Sequence, residues 1–162
     1  MRHRKIIYQP IGIIHSSHKE VKGVPIQPSS AKGIKGEIEL LEEYQDGLKD
    51  LGGFSHIIIL YDFHKSKAYS LQIRPFLDDQ LHGVFATRAP KRPNPIGFSV
   101  FKLIEIKGNI LYVENVDVLD KTPLLDIKPY ISRFDAIEEE RIGWLSKNIN
   151  ESDVKKSDER FK

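Results

Sequence analysis

Short hydrophobic runs with strand character recur along the chain, and turn residues separate them. The run from Ser55 to Asp62 is continuously apolar over Ile57–Tyr61, which predicts a fully buried strand. The segment Lys107-Gly108-Asn109 is typical of a hairpin turn. Further strands are predicted where β-branched or alternating residues dominate, at Lys5–Ile14, Ile34–Leu41, Gly83–Thr87, Ile96–Ile106 and Ile110–Val118, with a short extended piece at Leu124–Ile127.

Helical patterns are fewer and occur at Glu42–Leu51 and Ala136–Lys147. Strands dominate, and they do not alternate regularly with helices as in a parallel doubly wound sheet. The pattern therefore predicts a mostly β protein, built as an antiparallel sheet or a closed barrel. Residues 1–145 are expected to form this single domain, and the polar residues 146–162 a frayed tail.

Composition narrows the class of protein. A chain of 162 residues with 40% hydrophobic and 30% charged residues is the size and make-up of one globular domain. The absence of cysteine excludes disulfide scaffolds, thiolate metal sites and cysteine nucleophiles. The longest apolar stretch is far too short to cross a bilayer, and the N-terminus is a poor signal peptide. These features predict a cytoplasmic protein without a membrane partner.

The charges are distributed unevenly along the chain. Between Leu81 and Ile104 the charged residues are all basic, namely Arg88, Lys91, Arg92 and Lys102, whereas acidic residues collect elsewhere. Segregated cations predict a local anion-binding face. A chance cluster of four cations is the alternative that charge alone leaves open.

The segment Val84–Gly97, VFATRAPKRPNPIG, contains three prolines within six residues between predicted strands. Proline cannot donate to a strand ladder and restrains the residue before it, so the segment predicts a rigid extended loop. Such a loop can hold polar side chains in place at little entropic cost on binding. We therefore interpret it as a functional loop in preference to one stiffened only for stability.

A second dense segment, Val116–Tyr130, combines three aspartates with two lysines and two prolines. Asp126 lies between Leu125 and Ile127, which predicts a buried carboxylate that is either functional or paired with an arginine. A hydrolytic metal site using His56 and His64 is the least favoured hypothesis, because no metal-ligand spacing appears and we expect no metal. The common nucleotide-binding and hydrolase motifs are absent as well.

Five segments in order resemble the TrmO-type tRNA methyltransferases, also called the TsaA-like family. They are IGIIHSSHKE, the PIQP loop, GFSHIIILYDFH, GVFATRAPKRPNPIG and VDVLDKTPLLDIKPY, and together they extend from about Ile11 to Tyr130. The resemblance implies a single-sheeted antiparallel β-barrel with a few short helices. It also implies an S-adenosylmethionine-dependent enzyme, usually a homodimer, that methylates the exocyclic amine of threonylcarbamoyl-adenosine 37 in tRNA. Relatives often carry a further C-terminal domain, which we do not expect here.

The resemblance also implies the positions of the cofactor contacts. Carried over motif by motif, they fall on Gln27, Pro28, Ser29, His64, Lys65, Arg88, Phe98, Lys121, Thr122, Pro123 and Leu124.

The enzyme must also provide a group that accepts a proton from the amine, because the amine loses a proton when it gains the methyl group. Asn94, together with the carbonyl of Pro95, and alternatively Asp126 are the predicted catalytic groups. For the tRNA or the threonylcarbamoyl group the predicted contacts are Lys91, Arg92, Lys128 and a stacking Tyr130. Two alternatives stay open: an S-adenosylmethionine-binding or RNA-binding module without turnover, and methylation of another substrate.

Overall fold

The structure is a computed structural model that describes residues 4–138, 140–147, 149–150 and 155–158. The described residues are mostly β, as the sequence predicts. The strands in chain order are β1 Gly12–Ser16, β2 Lys35–Leu40, β3 His56–Asp62, β4 Gln72–Ile73, β5 His82–Gly83, β6 Ile96–Lys107, β7 Ile110–Glu114 and β8 Thr122–Pro129.

Six of these strands close into an antiparallel barrel in the order β1-β2-β7-β6-β3-β8, and β8 pairs back onto β1. The two-residue strands β4 and β5 pair with each other outside it. Strands β6 and β7 form the predicted hairpin, in which Lys107 is paired with Ile110 and Gly108 has a φ of 59°. The expected single-sheeted barrel is confirmed.

The barrel interior is filled by the alternate side chains of its strands. In β3 the side chains of Ile57, Ile59 and Tyr61 are buried, whereas Ile58 and Leu60 are only partly buried. The prediction that this strand is buried on both faces is therefore wrong. A barrel has one inner face, so an antiparallel strand alternates between the core and the outside even when its sequence is apolar throughout.

Several predicted strand boundaries also change. Residues 4–11 form no strand, because β1 begins only at Gly12. The predicted strand Gly83–Thr87 is a 3-10 turn over Val84–Ala86 that follows β5. Strand β7 ends before Asn115, whose left-handed φ of 68° cannot continue a strand.

The two predictions of helices are wrong, because neither segment forms an α-helix among the described residues. Residues 42–51 form 3-10 turns at Glu42–Leu48 and Leu51–Gly53, separated by Asp50 with a left-handed φ of 65°. Near the C-terminus the helical pieces are α1 Ser132–Asp135 and a 3-10 turn at Gly143–Lys147. No helix of the described residues is long and apolar enough to cross a membrane.

The described part of the C-terminal tail lies against the loop that follows β1. Lys156 forms an isolated β-bridge with Pro25. The backbone of Ser157 is hydrogen-bonded to Gly23 and Val24, at 2.9 and 2.8 Å, and its hydroxyl also donates to the carbonyl of Val21. The sequence predicted none of these contacts, and residues 151–154 and 159–162 lie outside the described ones.

Candidate functional site

A cavity of about 870 Å³ opens at the end of the barrel where β3 ends and β6 begins. Its walls come from the loop after β1, the residues that follow β3, the proline-rich loop, the segment before β8, and the C-terminal residues. Segments far apart in sequence therefore meet at one site. This is the arrangement expected when loops on a rigid sheet carry the function.

Most of the predicted cofactor contacts line this cavity: Gln27, Ser29, His64, Lys65, Arg88, Phe98 and Thr122. Pro28 begins the 3-10 turn Pro28–Ala31 between two of them. Lys121, Pro123 and Leu124 are not among the lining residues. Leu124 is fully buried in the barrel core, because its side chain alternates inward on β8.

Arg88 connects two walls of the cavity. Its Nη1 donates a hydrogen bond of 3.0 Å to Oε1 of Gln27, in the loop after β1. Its guanidinium also lies 5.9 Å from the ring centre of Phe98, within the range of a cation–π contact. These contacts hold the Arg88 side chain in one direction although it is exposed.

A chain of hydroxyl groups leads to a carboxylate that lines the cavity. Ser99 donates a hydrogen bond of 2.7 Å to Oδ1 of Asp117, and the hydroxyl of Tyr61 lies 3.3 Å from Ser99 Oγ. Since Ser99 gives its proton to Asp117, Tyr61 is the donor to Ser99. Tyr61 and Ser99 are diagonal neighbours on the paired strands β3 and β6, where Tyr61 lies opposite Gly97, and both side chains alternate toward the barrel interior.

Burial dominates the electrostatics of this group. It raises the pKa of Asp117 to about 7, against smaller lowering effects of the Ser99 hydrogen bond and the Arg88 charge. Burial likewise raises the pKa of Tyr61 far above its ordinary value. At the cavity wall, burial lowers the pKa of His64, which favours the neutral imidazole.

Gly97 makes room for the Tyr61 ring. A Cβ atom at this position would lie 2.1 Å from Cε2 of Tyr61, far inside van der Waals contact. The ring also packs edge-on against Phe63, with 5.3 Å between the ring centres. The glycine that ends the proline-rich motif thus allows Tyr61 to reach Ser99.

Arg92 is partly buried in the proline-rich loop and also lines the cavity. Its Nη1 donates to the backbone carbonyls of Val84, Thr87 and Ala89, at 3.4, 2.9 and 3.2 Å. These bonds give the loop the rigidity that its prolines predict. They also engage the guanidinium that the sequence assigned to phosphate or carboxylate binding.

Neither of the two alternative catalytic groups lines the cavity. Asn94 is exposed and does not line the cavity, and the carbonyl of Pro95 accepts a 2.7 Å hydrogen bond from the amide of Phe63. Asp126 faces a different hollow and forms a salt bridge of 2.6 Å with Lys128. Its side chain is 42% exposed, so the prediction of a buried carboxylate paired with arginine is wrong.

A β-bulge explains where Asp126 points. Tyr61 pairs with Leu124, but the preceding Leu60 pairs with Asp126, so Leu125 is an extra residue on β8. Residues opposite each other on paired strands share a face, and Leu60 is on the outer face. Asp126 is therefore turned outward.

Tyr130 is farther still from the cavity. It lies beside His56 at the start of β3, with 6.4 Å between the two ring centres. The cavity adjoins the other end of that strand, and at about 3.3 Å per residue the two ends are about 20 Å apart. Lys128 and Tyr130 thus do not share a site with Lys91 and Arg92.

The C-terminal residues form a wall that the sequence did not predict. Trp144 stacks on His82 at 4.4 Å between ring centres, and its Nε1 donates 2.8 Å to the carbonyl of Ala86. His82 lies 3.1 Å from a carboxylate oxygen of Asp78. Ile142 and Leu145 line the cavity from the same segment.

No group of three or more histidine or acidic side chains suited to a metal occurs among residues 4–138, 140–147, 149–150 and 155–158. The cavity instead offers hydrogen-bonding groups, the carboxylates of Asp62, Asp117 and Glu140, and apolar walls. Such a set suits an amphipathic organic molecule of the size that cavities of 300–1,000 Å³ hold.

Known proteins resemble this chain over most of its length. It is 56% identical over 156 residues to a probable S-adenosyl-L-methionine-binding protein of Pyrococcus abyssi, covering 96% of this chain and 85% of the relative. It is 37% identical to the mouse tRNA (adenine(37)-N6)-methyltransferase, covering 81% of this chain but 32% of that protein. The crystal structure of TrmO from Pseudomonas aeruginosa aligns with a TM-score of 0.74 at 36% identity, covering 87% of this chain and 63% of that one.

The family model described as the tRNA-methyltransferase O N-terminal domain matches residues 13–136. These residues contain the barrel except for Gly12, together with the proline-rich loop, whereas Trp144 and the other C-terminal residues of the cavity wall lie beyond them. The match covers well over half of the chain and agrees with the family that the sequence motifs indicate. The chain therefore belongs to the family of the tRNA-methyltransferase O N-terminal domain.

Proposed function

We propose that this protein is an S-adenosylmethionine-dependent tRNA methyltransferase that acts on the exocyclic amine of adenosine 37. Its preferred substrate in this proposal carries the threonylcarbamoyl group. The observation that carries the proposal is the cavity, in which Gln27, His64 and Arg88, from three separate loops, line one space. Relatives named for the same cofactor and for transfer to adenine 37 support it.

The residues of the cavity fit the cofactor chemically. Gln27 and Arg88 present hydrogen-bonding groups at the rim, Phe98 offers an aromatic face, and Asp117 supplies a negative charge inside. An adenosine with a charged amino-acid side chain needs an apolar surface and both kinds of polar partner. The volume of about 870 Å³ leaves room for it.

When bound, S-adenosylmethionine supplies a methyl group on a positively charged sulfur. The task of the chain is to orient the amine in line with that group and to exclude water, since positioning accounts for most of the acceleration. The proline-rich loop, which the hydrogen bonds of Arg92 hold in place, is a rigid border of the cavity that can support this alignment. Asn94, exposed on the same loop, remains our predicted contact for the amine. Asp126 is left out because it lines a different hollow and is paired with Lys128.

Binding of tRNA next to the cavity is supported by the cations around it. Lys65 and Arg88 line the cavity and are exposed, and Lys91 lies on the adjoining loop. Phosphate contacts of this kind weaken as salt concentration rises, because binding releases counterions. The affinity for tRNA should therefore fall steeply with salt, and less steeply in a Lys65→Ala variant.

A homodimer in the cytoplasm completes the proposal. Large apolar side chains remain exposed in the single chain, and a second copy would cover some of them: Ile6, Ile7, Tyr8, Phe85, Phe134 and Ile137. Sedimentation of the purified protein tests this directly. A monomer at micromolar concentration would contradict it.

The experiment for the proposed function follows labelled methyl from S-adenosylmethionine into two tRNA pools, one with and one without the threonylcarbamoyl group. Nucleoside mass spectrometry then locates the label, and calorimetry on the same sample measures cofactor binding. We expect label only in the modified pool, on adenosine 37. Equal label in both pools would remove the requirement for threonylcarbamoyl. Binding without transfer would make the protein a cofactor-binding module, and no binding would overturn the proposal.

A further inference from the structure

Asp117 differs from the other aspartates of the segment before and within β8. Asp120 is paired with Lys19 at 2.7 Å and Asp126 with Lys128 at 2.6 Å. Asp117 has no salt bridge within the part of the chain that the structure describes, although its carboxylate is largely withdrawn from water on the wall of the cavity. A buried carboxylate without a cation is costly, so its position in a cavity points to a ligand.

The carboxylate is held in place by neutral donors. Ser99 donates to Oδ1, and Tyr61 in turn donates to Ser99, which fixes the group on the wall of the cavity. Neighbouring lining residues, among them Val118 and Leu119, are apolar. In such surroundings an electrostatic attraction is much stronger than in water.

The cation in the vicinity, Arg88, does not neutralise Asp117. It is hydrogen-bonded to Gln27 and stacked on Phe98, and its effect on Asp117 is weaker than those of burial and of Ser99. Among the described residues, the carboxylates that line the cavity are Asp62, Asp117 and Glu140. Above its pKa of about 7, the negative charge of Asp117 is thus left for a ligand. The ligand class that complements it is an organic cation.

We propose that Asp117 binds the positively charged part of the cofactor, with Ser99 and Tyr61 as the positioning residues that orient its carboxylate. This inference rests on the proposed function, because that function supplies a ligand with two cationic groups. One is the sulfonium next to the transferred methyl, and the other is the α-ammonium of the amino-acid side chain. A carboxylate next to either one would distinguish the cofactor from neutral nucleosides.

The test measures calorimetric affinities of the full chain for three ligands. S-adenosylmethionine has both cations, S-adenosylhomocysteine has only the ammonium, and methylthioadenosine has neither. The variant is Asp117→Asn, which keeps the shape and removes the charge. Glu114→Gln is the matched control, because Glu114 is paired with Lys102 and does not line the cavity.

We expect Asp117→Asn to lower the affinity for S-adenosylmethionine by about tenfold or more, the usual size of a lost charge-assisted contact. The affinity for methylthioadenosine should stay within about twofold, since it has no cation to lose. An equal loss for S-adenosylhomocysteine identifies the ammonium as the partner, and a loss confined to S-adenosylmethionine identifies the sulfonium.

Two results overturn the inference while leaving the proposed function intact. One is an unchanged affinity for all three ligands, and the other is an equal loss for all three, which would place Asp117 against the adenosine. Failure of the wild type to bind S-adenosylmethionine would instead overturn the proposed function.

Ser99→Ala retains the carboxylate of Asp117 but removes its hydrogen-bond donor. It should rank the three ligands in the same order as Asp117→Asn, with a smaller loss of affinity. Circular dichroism of each variant checks that it is folded.

Discussion

The two ends of β3 lie in different surroundings. At its C-terminal end, Tyr61 reaches Ser99 and Asp117 inside a large cavity bordered by loops. At its N-terminal end, His56 packs against Tyr130 near a smaller hollow of about 520 Å³. The sequence predicted functional residues near both ends, but the structure gathers the polar groups from distant segments only at the first.

The difference between the two ends is clearest in their carboxylates. Asp117 is buried, bound by a hydroxyl and without a salt bridge among the described residues, whereas Asp126 is half exposed and paired with Lys128. Surface pairs such as the second contribute little to stability. A carboxylate in a motif is therefore informative about function only when its surroundings are known.

The largest expected effect is on the pH dependence of stability. Burial raises the pKa of Asp117 from 3.8 to about 7, so the folded state binds its proton more tightly than the unfolded chain. Stability from this group is then greatest at low pH and is lost as the pH rises from about 4 to about 7. The full loss is on the order of 4 kcal/mol.

Guanidinium denaturation of the wild type and of Asp117→Asn at pH 5 and pH 8.5 measures the larger part of this effect, because the remainder is lost below pH 5. The Asn variant should gain stability relative to the wild type at the higher pH. A difference between the two proteins that does not vary with pH would show that Asp117 is not buried as described.

The next effect concerns Gly97. Alanine there would place a methyl group against the Tyr61 ring, and overpacking of this kind costs about 1–3 kcal/mol. Gly83→Ala is the control, because nothing lies within 4 Å of its added Cβ and its φ is −58°. Denaturation midpoints should separate the two variants. Equal midpoints would contradict the packing of Tyr61 beneath Gly97.

A third prediction contrasts the two ends by cofactor affinity. Arg88→Ala loses the contacts to Gln27 and Phe98 and should weaken binding of S-adenosylmethionine about tenfold. Asp126→Asn should leave that affinity within about twofold, because its side chain is outside the cavity. Calorimetry measures the affinity of both variants for S-adenosylmethionine. A larger loss in Asp126→Asn than in Arg88→Ala would place the cofactor site at the other end of β3.

The smallest effect is expected at the C-terminal wall. Trp144→Ala removes the stack on His82 and should weaken cofactor binding about threefold to tenfold, whereas Trp144→Phe retains a ring and should lose less. Trp144 is the only tryptophan of the chain, so its fluorescence reports the wall directly. Emission that does not change on titration with cofactor, together with unchanged affinity in Trp144→Ala, would exclude the wall from the site.

Much of the barrel could be predicted from local sequence. The strands β2, β3 and β6 and the hairpin at Gly108 lie close to their predicted positions, because alternation and turn residues are local signals. The segment predicted as a helix at 42–51 instead forms two 3-10 turns, and Asp50 with its left-handed φ separates them. Such a conformation depends on tertiary surroundings and leaves little trace in the hydrophobic pattern.

The site was only partly predictable, for a related reason. Family motifs marked Gln27, His64 and Arg88, which do line the cavity. Asp126 was misjudged because a single bulge residue, Leu125, reverses which face the following side chains occupy. Asp117 and Ser99 are 18 positions apart and meet only after the barrel closes, so no spacing rule links them.

The central claim is that the cofactor binds in the cavity at the C-terminal end of β3. Hydrogen exchange with and without S-adenosylhomocysteine tests this claim most directly. We predict slower exchange in residues 24–31, 61–66 and 84–98, which border the cavity, and no change in residues 42–54 and 126–130. Protection confined to the latter two segments would contradict the account, because the ligand would then occupy the hollow beside Asp126.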